Sequence, residues 1–178
     1  RSELRFFAGQ YRLKIKGKEN LIKSNKINEL IKMHSSTSER LDFYPKLKEI
    51  IHDLKIKSIL DLGCGLNPLV LSQRGIKYFA SDIDEKDLSF IQSYFNNNKI
   101  NGKTFVYDLR NISNDLPITD LTILFKVLDV VSKNDRRLSE KIVLSIKSKY
   151  LLVSFSTKKI SGLSMNYPER KWFEKLII

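Results

Sequence analysis

The stretch that decides the fold is residues 58–68, which read SILDLGCGLNP. A short apolar strand leads directly into two glycines, Gly63 and Gly65, which allow a tight turn and the close approach of a ligand to the backbone. A dinucleotide-binding fingerprint has a third glycine three residues after the second one, and Pro68 occupies that position. The turn therefore predicts a ligand site whose ligand need not carry a pyrophosphate.

Outward from this turn, short apolar strands alternate with helical patterns. The predicted strands are residues 58–62, 77–81, 104–107, 121–125 and 150–155, and the predicted helices lie around residues 68–74, 85–95 and 135–148. This alternation predicts an α/β fold with a doubly wound, mostly parallel sheet and right-handed crossovers. In such sheets, ligands bind at the carboxyl ends of the strands.

The segment before the first strand also predicts a helix. Ser36 followed by Glu39 forms a capping box, so we expect a helix to begin there. Pro45 predicts a kink or a restart within it. The apolar stripe of this helix would consist of Leu41, Tyr44, Leu47, Ile51 and Leu54.

Carboxylates follow the next two predicted strands. Asp82 lies about 20 residues after the glycine turn, where an acid accepts hydrogen bonds from both hydroxyls of a ribose. Asp108 and Leu109 end the third strand and suit an adenine, because the acid faces the exocyclic amine while the apolar group packs on the ring. A glycine turn, a ribose acid and an adenine acid in this order predict the S-adenosylmethionine site of a Rossmann-like class I methyltransferase.

The charge is unevenly distributed along the 178 residues, whose formal net charge is +12. Residues 1–57 contain 14 Lys and Arg against 7 Asp and Glu, and residues 131–178 contain 11 against 4. Residues 58–130 contain 7 against 9. Clustered basic residues displace counterions from phosphates, so two basic arms around an acidic centre favour a nucleic-acid partner. A lysine-rich surface that serves solubility is the alternative.

Composition also excludes several classes of protein. The single cysteine, Cys64, excludes a disulfide framework and a cysteine-cluster metal site. Its place in the glycine turn favours a small packed residue over the nucleophile that a cytosine-C5 methylase needs. No apolar run reaches the roughly 20 residues of a membrane span, and we expect a cytoplasmic protein with no membrane partner.

Several segments of the chain resemble one known family. They are residues 34–40 (HSSTSER), 61–69, 82–84, 124–126, 154–158, 166–167 and 172–174. Together they resemble the aminoglycoside-resistance 16S ribosomal RNA methyltransferases, which methylate N7 of a guanine in the decoding site. The most specific segment is HSSTSER, because generic methyltransferases lack it. The resemblance implies a methyltransferase domain over residues 34–178 and a basic extension over residues 1–33 that forms part of an RNA-docking region.

The resemblance also implies roles for individual residues. Arg40 would bind the methionine carboxylate of the cofactor, Asp82 the ribose, and Asp108 and Leu109 the adenine, with Phe125 packed near the adenine. The expected cofactor-binding residues are His34, Arg40, Gly63, Cys64, Gly65, Asn67, Asp82, Ile83, Asp108, Leu109 and Phe125. The expected RNA contacts are Lys126, Ser154, Lys158 and Lys159, and Lys126 is the one candidate for a catalytic role in the pocket.

Two short motifs depart from the family pattern. The usual Lys-x-Leu-Pro after the fourth strand is KVLD at residues 126–129, and the usual Phe-Pro-x-Lys is FSTK at residues 155–158. The basic extension is also short for the family, and the sequence ends before the last two strands of the fold. We therefore expect residues to be missing at the ends, near residues 160–165, or both.

The implied reaction needs little acid–base chemistry. Guanine N7 has a free lone pair and no proton to lose, so alignment of the two reactants is the main requirement. The implied partner is ribosomal RNA, within the small ribosomal subunit, and we expect a monomeric enzyme. Two alternatives stay open: a methyltransferase for another RNA, a small molecule or a protein, and a non-catalytic RNA-binding relative.

Overall fold

The computed structural model describes residues 29–31, 35–113, 115–131, 136–157 and 169–177. The expectations for His34, Lys158, Lys159 and most of the basic extension lie outside these residues. Within them, five strands alternate with seven short helices. The elements are α1 (Ser35–Ser38), α2 (Tyr44–Asp53), β1 (Ser58–Leu62), α3 (Pro68–Leu71), β2 (Lys77–Asp82), α4 (Glu85–Asn97), β3 (Gly102–Val106), β4 (Thr119–Phe125), α5 (Val127–Val131), α6 (Arg136–Ser145), β5 (Ser148–Ser154) and α7 (Lys171–Leu176).

The five strands form one sheet in the order β3-β2-β1-β4-β5, and every neighbouring pair is parallel. The order reverses beside β1, which places the turn after β1 at the switch point where doubly wound folds bind ligands. Leu62 pairs with Ser81 near the ends of β1 and β2, so the glycine turn and Asp82 emerge together at the carboxyl edge. The predicted α/β fold and its parallel sheet are confirmed.

The core has two apolar layers because side chains alternate between the faces of a strand. Ile59 of β1 belongs to the layer that contains α2 and α4, together with the buried Tyr44 and Phe95. Leu60 and Leu62 belong to the opposite layer, which contains Leu128 of α5 and Ile142 of α6. The sheet is therefore covered on both faces, as a parallel sheet requires.

The helix predicted to begin at Ser36 is two helices. Ser36 lies inside α1 rather than at its cap, and the chain turns over residues 39–43 before α2 begins at Tyr44. The predicted restart is confirmed, because Pro45 lies in the first turn of α2, where its missing N–H costs no hydrogen bond.

The predicted stripe is correct only in its centre. Tyr44, Leu47 and Ile51 are buried. Leu41 is half-buried and lies in the turn before α2, while Leu54 follows the last helical residue and is exposed. The prediction is wrong for Leu41 and Leu54 because α2 begins at Tyr44 and ends at Asp53.

A candidate cofactor site at the carboxyl edge of the sheet

The glycine turn after β1 has a backbone that only glycine adopts readily. Gly63 has a φ of +69° and Gly65 a φ of +49°, both in the left-handed region. The N–H groups of Gly63 and Cys64 both donate to the carbonyl oxygen of Ser81, at 2.9 Å each, which fixes the turn against β2. A Cβ atom on Gly63 would overlap the side chain of Val127. Both the backbone conformation and the packing against Val127 therefore require glycine at position 63.

Asp82, at the end of β2, faces this turn. Its Oδ2 accepts the N–H of Gly65 at 3.2 Å, and its Oδ1 accepts the N–H groups of Ile83 at 2.7 Å and Asp84 at 3.4 Å. Burial raises the pKa of Asp82, while these three hydrogen bonds lower it. The structure therefore brings Asp82, Ile83 and the glycine turn together, with a carboxylate fixed in place by backbone donors.

Asp84 lies only two residues after Asp82 but has a different structural role. It is the N-cap of α4, and its Oδ1 accepts the N–H of Lys86 at 3.0 Å. A capping side chain satisfies one of the helix's unpaired amides. Asp84 therefore stabilises the helix, and Asp82 is the acid that lines the turn.

Asp108 lies two residues after the end of β3, and its carboxylate is already paired. Arg110 donates from Nε to Oδ1 at 3.0 Å and from Nη2 to Oδ2 at 2.8 Å, and its N–H also donates to Oδ1 at 3.0 Å. The hydrogen bonds from Arg110 lower the pKa of Asp108. The neighbouring Leu109 is buried in the layer that contains α5 and α6. The contact between Arg110 and Asp108, which lowers the pKa of this carboxyl, was not predicted from the sequence.

Arg40 is 8% exposed and lies between the turn and β4. Its Nη2 donates to Oδ1 of Asn67 at 3.1 Å. Its guanidinium carbon lies 5.0 Å from the centre of the Phe125 ring, in a cation–π arrangement. A buried cation beside the glycine turn is suited to bind an anionic group of a ligand.

The described surroundings of Phe125 are set by Arg40. Phe125 is the last residue of β4, whereas Asp108 follows β3, and β1 and β2 lie between these two strands. Three strand spacings of about 4.8 Å separate the two ends by roughly 14 Å. The Phe125 side chain is 4% exposed and its ring lies against the guanidinium of Arg40. Its expected contact with an adenine stays a prediction.

Behind the turn lies a buried polar network that the sequence reasoning missed. Asp61 is fully buried in β1, and its Oδ2 accepts the hydroxyl of Tyr78 at 2.8 Å. Its Oδ1 accepts the amide of Asn67 at a longer 3.5 Å. Burial raises the pKa of Asp61 to about 7, although the hydrogen bonds from Tyr78 and Asn67 lower it. A charged residue inside the otherwise apolar strand SILDL was the available signal.

Lys126 lies at the end of β4 with a φ of +59°, which is uncommon for a residue other than glycine. Its N–H donates to the carbonyl oxygen of Ser154 at 2.8 Å, and its ammonium forms an ion pair with Glu39. Glu39 therefore contacts Lys126, and its neighbour Arg40 contacts Phe125, the residue before Lys126. The Oγ of Ser154 is buried and, among the described residues, has no hydrogen-bond partner.

Comparison with known proteins identifies the family to which the chain belongs. A family profile described as ribosomal RNA methyltransferase (FmrO) matches residues 16–176. The chain belongs to this methyltransferase family. The resemblance drawn from the sequence motifs is thereby confirmed.

The chain is also similar to curated proteins described as 16S rRNA (guanine(1405)-N(7))-methyltransferases. A 16S rRNA (guanine(1405)-N(7))-methyltransferase from Micromonospora echinospora is 30% identical over 155 residues, which are 80% of this chain and 56% of the relative. An enzyme of the same description from Serratia marcescens is 28% identical over 83% of this chain and 60% of the relative. The chain thus spans little more than half the length of these relatives.

Solved structures of 16S rRNA methylases share the fold of this chain. ArmA superposes with a TM-score of 0.69 and 29% identity, covering 91% of this chain and 87% of the ArmA chain. RmtF, solved with S-adenosyl-L-homocysteine, gives a TM-score of 0.68 with 19% identity, covering 98% of this chain and 64% of that one. The second likeness concerns the fold alone.

The two motifs that depart from the family pattern, residues 126–129 and 155–158, contact each other in the structure. Asp129 accepts the N–H of Ser156 at 2.9 Å and two nitrogens of Arg170 at 3.2 Å. Arg170 also lies 5.3 Å above the Phe155 ring, which packs edge-on against Phe173. Asp129 therefore ties the segments after β4 and β5 to α7.

Some classes of site are absent from the part of the chain that the structure describes. No group of three or more His, Cys, Asp and Glu side chains is arranged to hold a metal ion there. No described helix has the length and apolar character needed to cross a membrane. Cys64 is a buried free thiol whose pKa burial raises well above its ordinary value, which agrees with a packing role.

Proposed function

We propose that the chain is the methyltransferase part of an S-adenosylmethionine-dependent enzyme that methylates N7 of a guanine in 16S ribosomal RNA. The observation that carries this proposal is the convergence of the glycine turn, Asp82 and the buried Arg40 at one edge of the sheet. Membership of the ribosomal RNA methyltransferase family and the description of the relatives support the RNA target. The modification would confer aminoglycoside resistance.

The residues at this edge fit S-adenosylmethionine in their chemistry. Asp82 is a fixed acceptor for ribose hydroxyls, and Asp108 is held ionised as an acceptor for the adenine amine. Arg40 would bind the methionine carboxylate. Gly63 and Gly65 would let the amino-acid part approach the backbone. When bound, the cofactor supplies an electrophilic methyl group on its sulfonium.

The chain's own contribution to the reaction would be alignment. Guanine N7 carries no proton, so no general base is needed, and fixed geometry contributes most of the acceleration. Lys126 lies beside Phe125 at the pocket edge and is held by Glu39. From this position Lys126 would bind a phosphate or a nucleobase of the RNA. It would not act as a general base.

The partner would be 16S RNA assembled in the small ribosomal subunit, and the enzyme would then act in the cytoplasm. The basic extension of residues 1–33 would form part of the RNA-docking region, and residues 34–178 would form the methyltransferase domain. The positive net charge of +12 supports a polyanionic partner. A monomer suffices for this chemistry, because all the named groups come from one chain.

The substrate class is tested by a comparison of RNA forms. We expect transfer of labelled methyl groups to isolated small subunits, with little transfer to transfer RNA or to bulk protein. Binding to the subunits should weaken steeply as salt is raised, because phosphate contacts release counterions. Labelling of a small molecule or of protein in a lysate, with none in small subunits, would contradict the proposal. Methylation of transfer RNA alone would point to a different RNA target.

A further inference from the structure

We propose that Asn67 is a positioning residue for Arg40: its neutral side-chain carbonyl orients the guanidinium toward a ligand carboxylate without neutralising it. This inference rests on the proposed function, which makes the carboxylate that of the cofactor's methionine part. Asn67 itself would not touch the reacting atoms. It would act through Arg40.

Asn67 is the hub of the buried network beside the turn. Its Oδ1 accepts Nη2 of Arg40 at 3.1 Å and the hydroxyl of Tyr44 at 2.7 Å. Its Nδ2 donates to Oδ1 of Asp61 at 3.5 Å. Asn67 is fully buried, so water does not compete for these bonds. One side chain thus joins the segment that carries Arg40 to the strand that carries the turn.

The chemistry of the partners fixes which way the amide of Asn67 points. Arginine only donates hydrogen bonds, so the group that meets Nη2 of Arg40 must be the carbonyl oxygen. The amide nitrogen then faces Asp61, which accepts. Tyr78 holds the other oxygen of Asp61 at 2.8 Å. The orientation of Arg40 is therefore determined by a chain of directional bonds that ends in the core of the sheet.

A neutral acceptor at position 67 matters because of what Arg40 would have to do. A carboxylate at this position would form an ion pair with the guanidinium and compete with a ligand carboxylate for it. A carbonyl holds the same nitrogen and leaves the positive charge in place. Phe125 acts in the same way, because its ring face attracts the cation without carrying a formal charge.

The inference is tested with two ligands that differ in the amino-acid tail. S-adenosylhomocysteine has the carboxylate, whereas 5′-methylthioadenosine retains the nucleoside and lacks the tail. Their affinities are measured by calorimetry for the wild type, Asn67→Leu, Asn67→Asp and Arg40→Lys. Thr122→Val is the matched control, because Thr122 is 1% exposed and, among the described residues, its hydroxyl has no hydrogen-bond partner.

We expect both Asn67 variants to lose about 10- to 100-fold in affinity for S-adenosylhomocysteine while binding 5′-methylthioadenosine as the wild type does. Asn67→Asp retains acceptors for Arg40 and Tyr44 but loses the donor to Asp61, so either variant counts as folded only if it binds 5′-methylthioadenosine as the wild type does. In Arg40→Lys, replacement of Asn67 should have a much smaller further effect. Thr122→Val should change neither affinity.

Three results would overturn the inference, and they are distinguishable from a failure of the proposed function. Equal losses of both ligands would show that Asn67 only supports the fold of the turn. Unchanged affinity for S-adenosylhomocysteine in Asn67→Asp would show that neutrality is unimportant. Full additivity of the Asn67 and Arg40 effects would show that they act separately. A wild type that binds neither ligand would instead overturn the proposed function itself.

Discussion

Replacing Gly63 by alanine is expected to destabilise the protein by about 2–5 kcal/mol and to abolish measurable cofactor binding. Two effects add. The φ of +69° costs a residue with a Cβ atom about 1–2 kcal/mol, and the new atom overlaps the side chain of Val127. Val127 is β-branched and begins α5, so its side chain has few alternative rotamers with which to move aside.

Gly75 provides the control for the conformational part of this effect. Its φ is +86°, but within the described part of the chain no atom beyond its immediate neighbours in sequence lies within 4 Å of the position a Cβ would occupy. Gly75→Ala should therefore cost only about 1–2 kcal/mol and leave cofactor affinity unchanged. Chemical denaturation and calorimetry measure both quantities. If the two variants are equally stable and Gly63→Ala still binds S-adenosylmethionine, the turn is not the constrained ligand site described above.

Replacing Asp82 by alanine should weaken binding of S-adenosylmethionine by about 10- to 100-fold, because a hydrogen bond to a charged acceptor is worth roughly 1.5–3 kcal/mol. The variant also removes the acceptor for the N–H of Gly65, which loosens the glycine turn. The loss of the ribose hydrogen bonds and the loss of the acceptor for Gly65 should both weaken cofactor binding and leave RNA binding unchanged. Calorimetric titration with the cofactor measures the change.

Asp84→Ala is the charge-matched control for Asp82→Ala. It removes the same charge two residues away, but Asp84 accepts the N–H of Lys86 as a helix cap. Its expected effect is therefore a loss of about 1 kcal/mol in stability with cofactor affinity retained. A result in which Asp84→Ala loses the cofactor and Asp82→Ala retains it would reverse the two assignments.

The sequence predicts the fold well because its strongest signals are local. A five-residue apolar strand that ends in two glycines specifies a buried strand and a tight turn without reference to the rest of the chain. Each following strand carries its own pattern, and the right-handed crossover rule then limits the topology. The same locality explains the errors, since Pro45 marks the start of α2 but nothing in residues 36–54 shows where α1 ends.

The candidate site was only partly predictable because its contacts are long-range. Arg40 and Asn67 are 27 positions apart, and Lys126 and Glu39 are 87 apart, so no spacing rule connects them. The placement of Phe125 beneath Arg40 depends on strand order, which the motifs do not encode. The pair of Asp108 and Arg110 is local, but both residues also suit an exposed turn, and only the structure shows that they bind each other.

The product of the reaction identifies the atom that the protein methylates. Small ribosomal subunits are incubated with the protein and S-adenosylmethionine carrying a labelled methyl group, and their RNA is digested to nucleosides for mass spectrometry. We expect the label to appear as 7-methylguanosine in 16S RNA, and Gly63→Ala should give none. A label on an exocyclic amine, on a ribose or on ribosomal protein, or no transfer by a wild type that binds the cofactor, would contradict the proposed function.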